Sequence, residues 1–319
     1  MTASLIGTRR GAIVAAILAA VGLVLPFVIY PIEAIDIICF ALFAVAFDLL
    51  LGFTGLLSFG HALFWGGSAY VASLLIVKLG APFPAAVSIA VLYAMVLAFL
   101  VGVVAIKRTG IYFAMITLAI AQIQFFFAFQ LTDLTGGENG LQLGARGTFL
   151  GLPLDNDRVY YYLAFAIVAI AVAFVVRVVR SPFGAVLAAT RENEQRAIGL
   201  GYRVDRYKLA TFVLSGTIAG LAGALYAIGN HLSGLDGVDW HTSGKVVMMS
   251  ILGGIGTVFG PIVGAGVFET LEYYVSKTPI GDKTNIVLGT IFAIVILIAR
   301  RGIVGEILAR RNPLPRDNG

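Results

Sequence analysis

Long apolar runs separated by short polar clusters dominate the chain, and their lengths set the first expectation. A helix rising 1.5 Å per residue needs about 20 apolar residues to cross a bilayer. Runs near that length lie at 11–31, 34–51, 61–79, 84–106, 110–131, 159–179, 209–228, 244–259, 262–278 and 285–300. They predict an all-α fold, a polytopic transmembrane helix bundle of ten spans forming a single domain over 1–319. Two glycine-rich stretches, Gly52 to His61 and Leu252 to Pro261, interrupt this pattern and predict broken or re-entrant elements at 55–60 and 253–261. Each follows a span running in the same direction, which suggests an internal repeat, and freed backbone groups at such breaks often line a transport route.

Two polar connections stand out. The first, 132–158, carries the turn-prone run Thr135 to Gly140 and is too long for a simple connector, so it predicts a docking or gating surface. Its acidic residues Glu138, Asp155 and Asp157 are the docking candidates. The second is a hydrophilic island, 180–208, in which Arg180, Arg191, Arg196, Arg203, Arg206 and Lys208 outnumber Glu192, Glu194 and Asp205. Ser181-Pro182 is a helix start, with serine able to cap free N–H groups and proline fitting the first turn. One helix is expected from Pro182 through Ile198, stopped by Gly199 and Gly201 in left-handed geometry. An amphipathic helix lying on the membrane surface is the alternative.

Composition agrees with the pattern. Hydrophobic residues make up 59% of the chain and charged ones 12%, with a mean hydropathy of +0.96, whereas soluble domains carry roughly 25% charged residues. The lone cysteine, Cys39, excludes a disulfide framework and reads as a packed small residue. A pI of 9.3 would suggest nucleic acid in a soluble protein. Here basic residues gathered on one membrane side explain it better, and no nucleic-acid partner is expected.

With the N-terminus inside, that side holds Arg9, Arg10, Lys107, Arg108, Arg177, the six basic residues of the island, Arg300, Arg301, Arg310, Arg311 and Arg316, sixteen of 22. Lys78, Arg146, Arg158, Lys245, Lys277 and Lys283 fall outside or near outer helix ends. Both termini and the island are therefore expected in the cytoplasm, because lysine and arginine resist translocation. The first run lacks an A-x-A cleavage pattern and is expected to be a retained span rather than a signal peptide.

Enzyme chemistry finds no support. Gly244-Lys245 lacks the earlier glycine of a phosphate loop, and the 253–260 glycines fail the G-x-G-x-x-G spacing. His61, His231 and His241 are not at ligand spacing with carboxylates, so no metal site is expected. Polar groups at membrane depth are functional candidates by default. Asp48, Ser58, Gly60, His61, Gly254 and Gly256, in or beside the two breaks, are candidates for the path or its gate. Glu269 and Glu272 share one face of the ninth run, while Gln122, Gln124 and Gln130 interrupt the fifth and suit helix-to-helix bonding. Glycine pairs four apart (Gly216 and Gly220, Gly256 and Gly260, Gly260 and Gly264) would let helices approach closely.

Several blocks together carry a resemblance. RENEQRAIGLGY (191–202), YKL (207–209) and SGTIAGLAGALY (215–226) are joined by LLLGFTGLLSFGHA (49–62), GGENGL (136–141) and LGGIGTVFGP (252–261). In these blocks, which span most of the chain, it resembles the LivM-type permeases of branched-chain amino acid ABC importers. That resemblance implies a multi-pass subunit of the bacterial inner membrane, surrounded by lipid and paired with a LivH-like second permease. It further implies two cytoplasmic ATPase subunits, which would use ATP and Mg, and a periplasmic binding protein that Glu138, Asp155 and Asp157 would meet. The chain itself would bind no cofactor and catalyse no reaction. The segment around Arg191, Glu192, Asn193, Glu194, Arg196, Ala197, Gly199 and Gly201 would be the coupling element in an ATPase groove. In place of the E-A-A-x3-G signature common in ABC importers, the chain has Glu194-Gln195-Arg196-Ala197-Ile198-Gly199. Substrates of the resembling family are branched-chain and other hydrophobic amino acids; relatives import urea, amides or aromatic acids. An ion-coupled secondary transporter using Glu269 or Asp48 as proton carrier remains the reading from another class.

Overall fold

A computed structural model of the chain describes residues 9–146, 148–149, 152–278, 284–298 and 302–311. Lys283, Arg300, Arg301 and Arg316 of the charge count lie outside the described residues. The fold is a helical bundle: α1 (Arg9–Val28), α2 (Pro31–Thr54), α3 (His61–Leu79), α4 (Phe83–Ala105), α5 (Ile111–Gln130), the single turn α6 (Thr132–Thr135), α7 (Asp157–Arg180), α8 (Pro182–Glu192), α9 (Glu194–Gly199), α10 (Val204–Asn230), α11 (Trp240–Gly253), α12 (Phe259–Ser276), α13 (Thr284–Ile298) and α14 (Gly302–Arg311).

Among the described residues six helices are long and apolar enough to cross a membrane: α2, α3, α4, α5, α7 and α10. The other four of the ten expected spans fall on α1, α11, α12 and α13. The apolar part of α1 is Ile13–Val28, and α11 and α13 have 14 and 15 residues.

Burial orders the helices from inside to outside. Of the most apolar window in α2, 83% is buried, and in α10 72%; in α7 the share is 17%. The bundle is therefore built around α2 and α10, which pack on each other, with α3 and α4 against α10 and with α7, α11 and α12 against α2. Outer helices turn Ile17, Val24, Leu92, Phe99, Ile123, Phe126 and Ile170 outward, a surface stable only in lipid.

Small residues set the central contacts, since lipid removes the hydrophobic drive between helices. A Cβ on Gly216 would lie 2.7 Å from Ala98 Cβ, and one on Gly220 would meet Ser68 Oγ at 2.6 Å. Gly220 and Gly216 thus let α10 close on α3 and α4 as their spacing predicts. The expected pair Gly256 and Gly260 shares no helix face, because α12 begins at Phe259 and Gly256 stands in an irregular segment with φ +77°. Gln124 bonds helix to helix as expected: its Nε2 donates to the Leu63 carbonyl at 3.0 Å.

Opposite the island, short strands tie the loops. β1 (Leu141–Gln142) pairs antiparallel with β4 (Leu232–Ser233), and β2 (Thr148–Phe149) with β3 (Leu152–Pro153). Arg146 anchors this end. Its side chain is fully buried, with Nε donating to Ile228 O at 3.0 Å, a head nitrogen donating to Gly229 O, and another to Leu154 O at 3.1 Å and Asp157 Oδ1 at 2.7 Å. The Asp155 carboxylate takes the Arg146 backbone N–H at 2.7 Å, and the guanidinium stacks over Tyr160 at 4.7 Å. A cation beside the last carbonyls of α10 is placed where the helix dipole favours it.

Candidate functional site

Both glycine-rich stretches open into non-helical backbone, and the fold brings them together at the island's end of the bundle. α2 stops at Gly55, which adopts φ +76°, and irregular chain follows to His61. α11 stops at Gly253, earlier than the expected span end at 259, because Gly254 and Gly256 take φ +117° and +77°. Val258 is held at φ +47°, a conformation that costs a β-branched residue roughly 1–3 kcal/mol and persists only where the surroundings fix it. Thr257 braces the turn: its Oγ1 donates to Gly254 O at 2.7 Å and accepts from Gly260 N at 3.0 Å.

Asp48 links the two breaks. It is 1% exposed, and its Oδ1 accepts the Gly256 N–H at 2.7 Å, while Oδ2 has no hydrogen-bond partner among the described residues. One turn further along α2, Gly52 makes this meeting possible: a Cβ there would lie 2.6 Å from Gly256 N. From the island, Arg191 then donates through a guanidinium nitrogen to the Gly52 carbonyl. That carbonyl belongs to the last turn of α2, where backbone acceptors lack helical partners and a cation is favourable. The same nitrogen lies 3.1 Å from where a Gly256 Cβ would stand. One side chain of the island thus contacts one break directly and flanks the other.

The remaining path candidates divide. Ser58 is fully buried and its Oγ accepts from Gly60 N at 3.2 Å, so both shape the first break. His61 lies inside the core with Nε2 2.8 Å from Ser215 Oγ, and the rings of Phe47 and Phe64 meet it edge-on at 5.1 and 5.8 Å. It packs as an aromatic group at the start of α3.

The island is two helices rather than the single one expected. Asn193 breaks it with extended backbone, φ −157°, and caps α9 by accepting the Arg196 N–H at 2.9 Å. Asparagine competes for backbone donors more effectively than a helix interior tolerates. Ser181 does not cap α8; its hydroxyl instead donates to Val178 O at 2.6 Å. Gly201 takes the expected left-handed geometry at φ +89°, whereas Gly199 stays helical at the end of α9.

A second connection leads inward from α9. Glu194 Oε1 pairs with Lys208 Nζ at 2.6 Å, and the Lys208 side chain is 4% exposed. Ala197 is buried, while Glu192 and Arg196 are exposed beside the outward apolar residues Ile198, Leu200 and Tyr202. Leu200 is 71% exposed. At the opposite end, Glu138 is exposed; Asp155 and Asp157 are engaged in holding Arg146. Sequence reasoning assigned no role to Arg146 or Lys208, although a lone arginine between acidic residues and a lysine at the head of an apolar run were visible signals.

Residues 33–299 match the family model described as branched-chain amino acid transport system / permease component. The chain is 29% identical over 249 residues to the high-affinity branched-chain amino acid transport system permease protein LivM of Escherichia coli K12, covering 71% of this chain and 59% of that protein. It is 27% identical over 172 residues to the ribose import permease protein RbsC of Bacillus subtilis, covering 52% and 51%. To the probable branched-chain amino acid transport permease protein LivH of Methanocaldococcus jannaschii it is 26% identical over 144 residues, covering 44% and 45%. The match thus spans about 59% of the length of the LivM relative. No solved structure matches the chain.

Proposed function

The chain belongs to the branched-chain amino acid transport permease family, and from that membership we propose that it is the membrane subunit of an ATP-driven importer of branched-chain or other hydrophobic amino acids. It works beside a LivH-like second permease in the bacterial inner membrane, with both termini in the cytoplasm. Two cytoplasmic ATPase subunits hydrolyse ATP with Mg, and a periplasmic protein delivers substrate to the end bearing Glu138. Similarity to a ribose permease means that the shared architecture is not tied to one substrate. The amino-acid reading rests on the longer LivM match.

The observation that carries the coupling role is the Arg191 contact with Gly52 beside the Asp48 and Gly256 pair. Exposed Ile198, Leu200 and Tyr202 offer an apolar face to an ATPase groove, and any push on that face reaches the membrane by two short routes. One runs through Arg191 to the breaks after α2 and α11. The other runs through Glu194 and buried Lys208 into α10, the helix on which α2, α3 and α4 pack. Segments with few regular hydrogen bonds and positive-φ glycines can change backbone angles at lower cost than an intact helix. ATP-driven closure of the partners would shift the island, re-pack the two breaks and change which end of the path is open.

The assembled transporter in proteoliposomes tests this. Arg191→Ala is expected to retain the ATPase subunits on purification but to reduce leucine uptake per ATP hydrolysed at least tenfold. Unchanged uptake per ATP in Arg191→Ala would remove the island from the coupling route, and uptake by the wild type driven by a pH gradient without ATP would overturn the importer reading itself.

A further inference from the structure

Between α2, α10, α11 and α12, at the end opposite the island, lies an open cavity of about 350 Å³, within the roughly 300–1,000 Å³ range of ligand pockets. None of the path candidates read from the sequence lines it. Its charge is lopsided: among the described residues that line it, Glu33, Asp36, Asp236, Glu269 and Glu272 carry carboxylates and Lys245 an ammonium. That lysine is already committed, its Nζ donating to both Glu272 oxygens at 2.6 and 2.8 Å. Asp36 accepts from Asn230 Nδ2 at 2.6 Å. Glu269 Oε1 is shielded from solvent and has no hydrogen-bond partner among the described residues.

An ammonium group, with three donors, is the chemistry that can bond several such carboxylates at once. One wall is aromatic: Tyr226 and Tyr273 line the cavity, with Tyr226 backed by buried Trp65 at 5.0 Å between ring centroids. Such a wall suits both an apolar chain and a cation over a ring face. An anion is disfavoured by the surplus of carboxylates. No three of the described acidic, histidine or cysteine side chains converge as metal ligands would, which favours an organic ligand over a bare ion.

We infer that this cavity is a binding site for the ammonium group of a small amine or amino acid, with Glu269 and Asp36 holding the cation and Tyr226 and Tyr273 receiving the apolar body. This rests on the importer reading and adds to it a site within the membrane subunit, distinct from that of the delivering protein.

The test is equilibrium binding of labelled leucine to the assembled transporter in nanodiscs without the delivering protein. Unlabelled 3-methylbutylamine, which keeps the ammonium, is expected to displace leucine, and 4-methylpentanoate, which keeps the carboxylate, is not. Glu269→Gln is expected to weaken leucine binding about tenfold. Displacement by 4-methylpentanoate as effective as by the amine, wild-type affinity in Glu269→Gln, or no saturable leucine binding to the wild type would each overturn the assignment. The competition arms use the wild type, so they decide the matter even if the variant fails to fold. ATP dependence of uptake, measured separately, judges the importer reading whichever way the competition falls.

Discussion

Gly52 is confined on two sides, by the Gly256 backbone and by the buried Asp48 carboxylate. An added Cβ would lie 2.6 Å from the Gly256 amide and 2.7 Å from Asp48 Cγ, and those two groups are bonded to each other. Gly52→Ala is therefore expected to separate them and lower stability by about 1–3 kcal/mol. Gly199→Ala meets nothing within 4 Å and should stay within about 0.5 kcal/mol of the wild type. Thermal unfolding of the two variants in the same detergent checks this; equal midpoints would mean that the contact of Gly52 and Gly256 carries no strain. Both Gly52 and Asp48 were conspicuous in the sequence, one as a glycine at a break and the other as a carboxylate at membrane depth. Their meeting with Gly256 was not, because the bond joins residues 208 positions apart and no periodicity encodes such a distance. Arg146 was visible as a lone arginine between acidic residues, but most of its partners were not, being backbone carbonyls, which every residue carries.

Among the elements, the island illustrates how local signals resolve an end better than an interior. Gly201 ends it as read, but Asn193 divides it because an asparagine side chain can replace a backbone acceptor. The division gives the island two separate ties to the bundle: α8 reaches the breaks through Arg191, while α9 reaches α10 through Glu194 and Lys208. The pair of Glu194 and Lys208 is asymmetric, with side chains 35% and 4% exposed. Removing Glu194 strands a buried cation, whereas removing both groups does not. Glu194→Gln is thus expected to destabilise the protein more than Glu194→Gln combined with Lys208→Met, with a coupling energy on the order of 0.5–3 kcal/mol. Strict additivity in the double-mutant cycle, read from thermal stability and from uptake, would show that α9 is not tied to α10 by this pair.

The whole molecule has two chemically different ends, and the periodicity of apolar runs made this architecture the most legible feature of the chain. Helix existence followed from run length; helix order around α2 and α10 did not, since small residues mark a buried face on more than one span, Ala86, Ala90, Ala94 and Ala98 on α4 as well as Gly216 and Gly220 on α10. One end gathers the island, both breaks and the basic residues Lys107, Arg108, Arg177 and Arg180 at helix termini. The other holds the paired strands, Glu138 and the acidic cavity. Positive charge resists translocation, so the island end should face the cytoplasm. Single cysteines placed by Glu138→Cys and Arg196→Cys, at exposed positions on opposite ends, test this in a background where buried Cys39 is unreactive. A membrane-impermeant maleimide applied to intact spheroplasts is expected to label the first at once and the second only after permeabilisation. The reverse order would invert the bundle, placing the acidic cavity on the cytoplasmic side and the island on the outer one, which would remove the proposed coupling role of the island.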